Sequence, residues 1–192
     1  MSVPTIADCS KVLGAFQVLY QFLGRKMPAD LRGLAGEVMV WRLLLKNGIG
    51  FTVKGGQSGC DILLDSGVRI EVRTSRAIPQ APDNSRGWAW QLQKVSEKEG
   101  VKYDFIVCVA LGDDLAIENA HFYILSDDEA MEAIDIHIPR FRSVKKKLWL
   151  YESMDVFFAE RKKHPEYFND WEEGVNRNKE RYRDWNKLRS PV

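Results

Sequence analysis

Apolar residues recur at steps of three and four over residues 10–23 (Val12, Phe16, Leu19, Leu23), which predicts an amphipathic helix that Gly24 ends. After a connector of Met27, Pro28 and Ala29, Asp30 is placed to cap a second helix running to about Asn47, where Gly48 stops it. Leu34, Val38, Trp41, Leu44 and Leu45 cover much of that helix's circumference, so it is predicted to be largely buried. The pattern then changes to strands. Residues 49–54, 60–65 and 68–75 are short β-rich runs, and Ser66 and Gly67 signal a hairpin between the last two. A loop over residues 76–87, holding Pro79 and Pro82, leads to a strand at 88–92 that carries Trp88 and Trp90. Residues 103–111 are almost continuously apolar, as in a central strand covered on both faces. A strand at 121–125 follows, and Ser126, Asp127, Asp128 and Glu129 open a short helix. Beyond Pro165, the residues Phe168, Trp171, Val175, Asn178, Tyr182 and Trp185 alternate at heptad spacing and predict one C-terminal amphipathic helix. Together these elements predict an α/β fold, a central mixed sheet flanked by helices.

The charged residues inside the hairpin call for a reason. Side chains alternate along a strand, so Glu71 and Arg73 share one face of 68–75, and Ile70, Val72 and Thr74 share the other. If the hairpin is centred on Ser66, residue 64 pairs with 68, 62 with 70, and Asp61 lies opposite Glu71. Carboxylates so placed repel each other, and a divalent cation that takes oxygens from both removes the repulsion. A register shifted by one residue would oppose Asp61 to Val72 and break the site. The bland alternative is an exposed pair, buried only on its β-branched face, with Glu71 bridged to Arg69 or Arg73.

At these residues the chain resembles the PD-(D/E)XK nuclease superfamily, which includes many restriction endonucleases and Holliday-junction resolvases. The resemblance covers about residues 31–126 and rests on Glu37 in the first core helix, Asp61 after Gly59 and Cys60, and Glu71 between Ile70 and Val72. It implies a restriction-endonuclease-like three-layer core with an added C-terminal helix, the whole chain 1–192 forming one nuclease-like domain. Helix 10–23 and a helical region at about 152–189 are expected to pack on it. The resemblance further implies Mg²⁺, replaceable by Mn²⁺, bound by Asp61, Glu71 and the Val72 carbonyl, with Glu37 supporting the metal's surroundings. The activity implied is hydrolysis of phosphodiester bonds in double-stranded DNA, in a restriction-type enzyme, one subunit of such an enzyme, or a resolvase or repair nuclease. Where the family carries lysine this chain has Arg73, which stays protonated and can position a phosphate but not take a proton. Lys54 or Gln91 could fill the lysine's place. Lys54, Arg76, Arg86 and Gln91 are the expected DNA contacts. A catalytically degenerate DNA-binding relative is the alternative.

Charge changes the picture only when divided along the chain. Residues 112–135 hold eight acidic and no basic side chains, whereas 136–192 hold fourteen basic and nine acidic. A phosphate backbone would be held by the basic parts and repelled by the acidic one, although a solvated acidic edge reads equally well. Lys145, Lys146 and Lys147 with Arg140 and Arg142 could reach phosphates or merely face solvent. Cys9, Cys60 and Cys108 form no CxxC pair, and His121, His137 and His164 lack zinc-site spacing, so neither a zinc site nor a disulfide framework is indicated. The cysteine usage and the lack of a long apolar run predict a cytoplasmic protein with no membrane partner. The stretch Lys54 to Gly59 is glycine-rich without the Walker pattern. Core packing is the expected role of Trp88 and Trp90, ahead of stacking on bases. The C-terminal stripe is expected to pack on the chain's own core or to pair with a second copy or larger partner subunit.

Overall fold

Thr5 starts the first helix four residues before the apolar periodicity does. Its Oγ1 accepts the Asp8 N–H at 3.1 Å and its own N–H donates to the Asp8 carboxylate at 3.0 Å, a closed capping box. Helix α1 therefore spans Ile6–Leu23. In the computed structural model, which describes residues 3–54, 60–80, 85–91, 103–130, 147–163, 165 and 170–189, α2 follows at Ala29–Lys46. Its cap position is Pro28 rather than the predicted Asp30, which lies in the first turn, where a negative charge favours the helix dipole.

Five strands, β1 (Phe51–Val53), β2 (Ile62–Leu64), β3 (Arg69–Arg76), β6 (Phe105–Leu111) and β7 (His121–Ser126), form one mixed sheet in the order β1-β2-β3-β6-β7. The hairpin has the register centred on Ser66: Ile62 opposes Ile70 and Leu63 opposes Arg69. Gly67, at φ 89°, makes the turn that sets it. β3 pairs in parallel with β6, from Ile70 beside Phe105 to Arg76 beside Leu111. As predicted, β6 is buried along its whole length. Ser126 and Glu129 close a capping box at the start of the helical residues 127–130.

A second sheet was not legible in the sequence. The expected loop at 76–87 is mostly an arm of strand, β4 (Ile78–Gln80) pairing with β5 (Ser85–Gln91), and β8 (Lys147–Tyr151) joins β5 on its other edge. Proline at position 79 did not preclude a strand because β4 is an edge strand. This sheet covers the face of β6 that carries Ile106, Cys108 and Ala110, while α1 and α2 cover the opposite face of the main sheet. Trp88 and Trp90 are core residues, and their indole N–H groups donate to the carbonyls of Leu111 at 3.0 Å and Val109 at 3.2 Å.

The C-terminal heptad does not form one helix. After α3 (Met154–Lys163), the stretch beyond Pro165 divides into α4 (Asp170–Arg177) and 3₁₀ turns at Lys179–Arg183 and Trp185–Arg189. Packing explains the break: Val175 and Tyr182 enter the core under the second sheet, whereas Leu188 and Trp185 reach the core on the α1–α2 side. A straight helix presents one stripe and cannot serve both faces of a sheet. Asn176 fastens the segment, accepting the Tyr151 N–H at 2.8 Å and donating to the carbonyls of Trp149 and Glu172. Among the described residues no helix is long and apolar enough to cross a membrane.

Candidate active site

The two strands of the hairpin part at Asp61. Leu64 N–H donates to the Val68 carbonyl at 2.8 Å, and two further steps of two residues would bring Val72 N–H to the carbonyl of Cys60. Instead Asp61 Oδ2 accepts the Val72 N–H at 2.8 Å, and the Asp61 N–H donates to the Ile70 carbonyl at 3.0 Å. The carboxylate thus takes the place of a ladder carbonyl, which fixes its position at the strand edge. In a strand the N–H and C=O of one residue point to the same edge, so the Val72 carbonyl is directed to this side as well.

Glu71 is only 8% exposed, so the expectation of burial on the β-branched face alone is corrected. Ile106 and Cys108, beside Glu71 and Arg73 in the parallel register, belong to the core beneath the second sheet. That sheet therefore covers the face predicted to be open. The Arg73 guanidinium lies 2.6 Å from Glu71 Oε1, whereas Arg69 makes a two-bond pair with Asp104 at 2.9 and 3.1 Å. Ser75, next on the same face, accepts the Ala89 N–H from β5 at 3.2 Å.

Glu37 approaches from α2 on the opposite face. Its pKa is pushed up to about 7, first by burial and then by the negative charge of Asp61, with Arg73 opposing. The Asp61 carboxyl is also raised, by burial, against the Val72 hydrogen bond and Arg73. These mutual influences place Glu37, Asp61 and Arg73 within electrostatic reach of one another. The approach depends on Gly36, where a Cβ would come within 2.0 Å of Thr74 Oγ1. Tyr103, not singled out in the sequence, is a further member. Its hydroxyl is buried without a hydrogen-bond partner among the described residues, and burial, then Asp127, Cys108 and Glu71, push its pKa to about 12.

No protein-family model matches the chain, and no curated protein matches it. Among solved structures, a bacterial homing endonuclease, I-Ssp6803I, is similar at 18% identity and a TM-score of 0.43, over 66% of this chain and 77% of that one.

The remaining sequence candidates are dispersed. Lys54 directly follows β1, and its N–H donates to the Asp61 carbonyl at 2.8 Å. Arg76 is exposed at the end of β3, and Arg86 lies in β5 opposite Pro79, out along the β4–β5 arm. β5 runs back along β3 and ends at Gln91, paired with Lys147; the side chains of Arg86 and Gln91 are outside the described set. Also outside the described residues are Gly55 to Gly59, His137, His164, Arg140, Arg142, Lys145 and Lys146. His121 is structural. Its Nδ1 lies 3.1 Å from the Arg183 guanidinium, and burial followed by Arg183 lowers its pKa. Among the described residues no three His, Cys, Asp or Glu side chains converge as a ready metal cage.

Proposed function

We propose that the chain is a Mg²⁺-dependent endonuclease acting on double-stranded DNA, of restriction type or a subunit of a restriction enzyme. The observation that carries this reading is the position of Asp61, whose carboxylate takes the Val72 N–H where β2 leaves β3. That position sets a carboxylate beside a strand-edge carbonyl and one residue from Glu71. The donor set suits a hard cation: it is all oxygen, and Mg²⁺ takes one or two carboxylates and keeps several waters. The raised pKa values of Asp61 and Glu37 suit it too, because buried carboxylates favour the ionised form once a cation adjoins them.

Asp61, Glu71 and the Val72 carbonyl would hold the ion, and Glu37 would stand by its waters. When bound, Mg²⁺ supplies positive charge to the phosphate oxygens and acidifies water. Arg73 can orient a phosphate with its fork of donors. Glu37, with a pKa of about 7, can take or give a proton at its carboxylate near neutral pH. Lys54, Arg76, Arg86 and Gln91 are the residues proposed to contact DNA, and they lie along β1, β3 and β5 rather than in one patch.

The 2.6 Å pair between Arg73 and Glu71 favours a second reading, a DNA-binding relative whose acidic ligand is occupied by its own arginine. Supercoiled plasmid incubated with purified protein, with and without Mg²⁺ or Mn²⁺, separates the two. Metal-dependent nicking or linearisation that Glu71→Ala abolishes is the expected result. Plasmid that is bound but intact under every metal condition would support the second reading, and neither binding nor cleavage would end both.

A further inference from the structure

Helix α1 carries two apolar stripes, and among the described residues only one of them packs on the core. Cys9, Leu13 and Phe16 face the core, with Tyr20 packed against it. Shifting each position back by one residue turns about 100° round the helix and gives Asp8, Val12, Ala15 and Leu19, a series that Phe22 continues. These five residues are exposed, Phe22 to 83% and Val12 and Leu19 each to more than two fifths. A phenylalanine this exposed at the end of an apolar row is the signature of a surface made to be covered.

The row is also symmetric about position 17. Val12 mirrors Phe22, and Ala15 mirrors Leu19. An isologous contact has this form: in a twofold pair, residue i of one copy meets residue j of the other, and j meets i. The steps of four, three, four and three along the row are those of a two-helix seam. Small Ala15 faces Leu19 near the crossing, and the outer pairs set Phe22 against Val12.

We propose that α1 is a self-association surface on which a second copy of this chain packs its own α1 antiparallel. The occupant is a second copy because the row complements itself in size, small Ala15 against Leu19 and Val12 against large Phe22. Two helices of this length bury less than the roughly 1,200–2,000 Å² of a permanent interface, so the pair is reversible and concentration-dependent. The inference is independent of whether the Asp61 site cleaves DNA, and it moves assembly from the C-terminal segment, where sequence periodicity had suggested it, to the N-terminal helix.

Sedimentation of the full chain from low micromolar to millimolar concentration tests it. A monomer–dimer equilibrium is expected, with the dissociation constant raised at least about tenfold by Phe22→Asp and unchanged by Gln21→Asp, an exposed polar position off the row. Circular dichroism and thermal melts establish that each variant is folded. Mixing Ala15→Cys chains with Leu19→Cys chains under oxidising conditions should link the two kinds to each other, and the natural cysteines are all buried and do not compete. A chain that stays monomeric to millimolar concentration overturns the proposal. So does a dimer insensitive to both Phe22→Asp and Leu19→Asp, or links only between identical variants, which would mean parallel packing.

Discussion

Gly36 of α2 lies against Thr74 of β3 so closely that a Cβ on the glycine would come within 2.0 Å of the threonine Oγ1. Nothing about Gly36 in the sequence distinguishes it from the glycines that end helices. Its place in the fold does, because the next residue is Glu37. The missing side chain lets the helix settle on the strand and keeps the Glu37 carboxylate within electrostatic reach of Asp61. Gly36→Ala should destabilise the protein by about 1–3 kcal/mol, the usual cost of overpacking, and should impair cleavage as well. Adding Thr74→Ala removes Oγ1 and Cγ2 and should recover most of the stability. Urea melts of the single and double variants check this, and equal loss in both would mean that the contact is not the cause.

Asp61 has two tasks that substitution can separate. Asparagine still offers an oxygen to the Val72 N–H but carries no charge, whereas alanine offers neither. Asp61→Asn should therefore melt near the parent while metal-dependent cleavage disappears. Asp61→Ala should lose cleavage and, in addition, about 1–3 kcal/mol for the unsatisfied N–H. Retained cleavage in the asparagine variant would remove Asp61 from the metal assignment.

Arg73→Lys restores the residue of the resembled family. A lysine ammonium is a compact point charge, so the hold on Glu71 should loosen and the carboxylate should become easier for a cation to take. The Mg²⁺ concentration for half-maximal cleavage should fall. If cleavage slows instead by the 10- to 150-fold that corresponds to about 1.5–3 kcal/mol for a charge-assisted bond, the two-pronged grip of arginine on phosphate is what matters. Unchanged rates in Arg73→Lys and Arg73→Ala alike would make Arg73 a bystander.

Glu37 predicts a pH dependence of definite sign. Its pKa rises from 4.5 to about 7 on folding, so the folded chain keeps a proton that the unfolded chain releases. Below pH 4.5 both states are protonated and the group contributes nothing. Between 4.5 and about 7 it lowers stability progressively, and above that range the penalty is constant. Glu37→Gln should thus raise the melting temperature at pH 8 and leave it unchanged at pH 4. Added Mg²⁺ should narrow the difference at pH 8 by favouring the ionised carboxylate. A melting difference that is the same at both pH values would show that Glu37 titrates normally.

The C-terminal segment is expected to act on stability in cis. Val175, Tyr182 and Leu188 are buried in two different cores, so deleting everything from residue 165 should lower the melting temperature sharply or prevent folding. Asn176→Ala is the gentler test. It removes the side-chain partner of the Tyr151 N–H and of the Trp149 carbonyl, at a cost of about 1–3 kcal/mol. A truncated chain that melts like the parent would remove the segment from the fold.

Local chemistry was readable from sequence wherever neighbours in the chain decide the outcome. The Ser66–Gly67 turn fixed the register that pairs Ile62 with Ile70 and Leu63 with Arg69, although the ladder ends before Asp61, and the apolar run at 105–111 is the central strand it was expected to be. Period-two and period-3.6 patterns likewise placed the main-sheet strands and both N-terminal helices, with ends displaced where a cap such as Thr5 prevailed. Contacts between distant segments were another matter. β8 is a strand because β5 offers it an edge, and the 76–87 stretch is an arm because β8 completes its sheet. The heptad beyond 165 had a helical period, but its apolar side chains had two cores to fill, and burial of Tyr182 and Leu188 on opposite sides outweighed the continuity of one helix. Burial of Glu71, the electrostatic influence of Asp61 on Glu37 and the exposed second stripe of α1 belong to the same class. Each depends on what covers a surface, and a sequence read one segment at a time specifies the surface but not its cover.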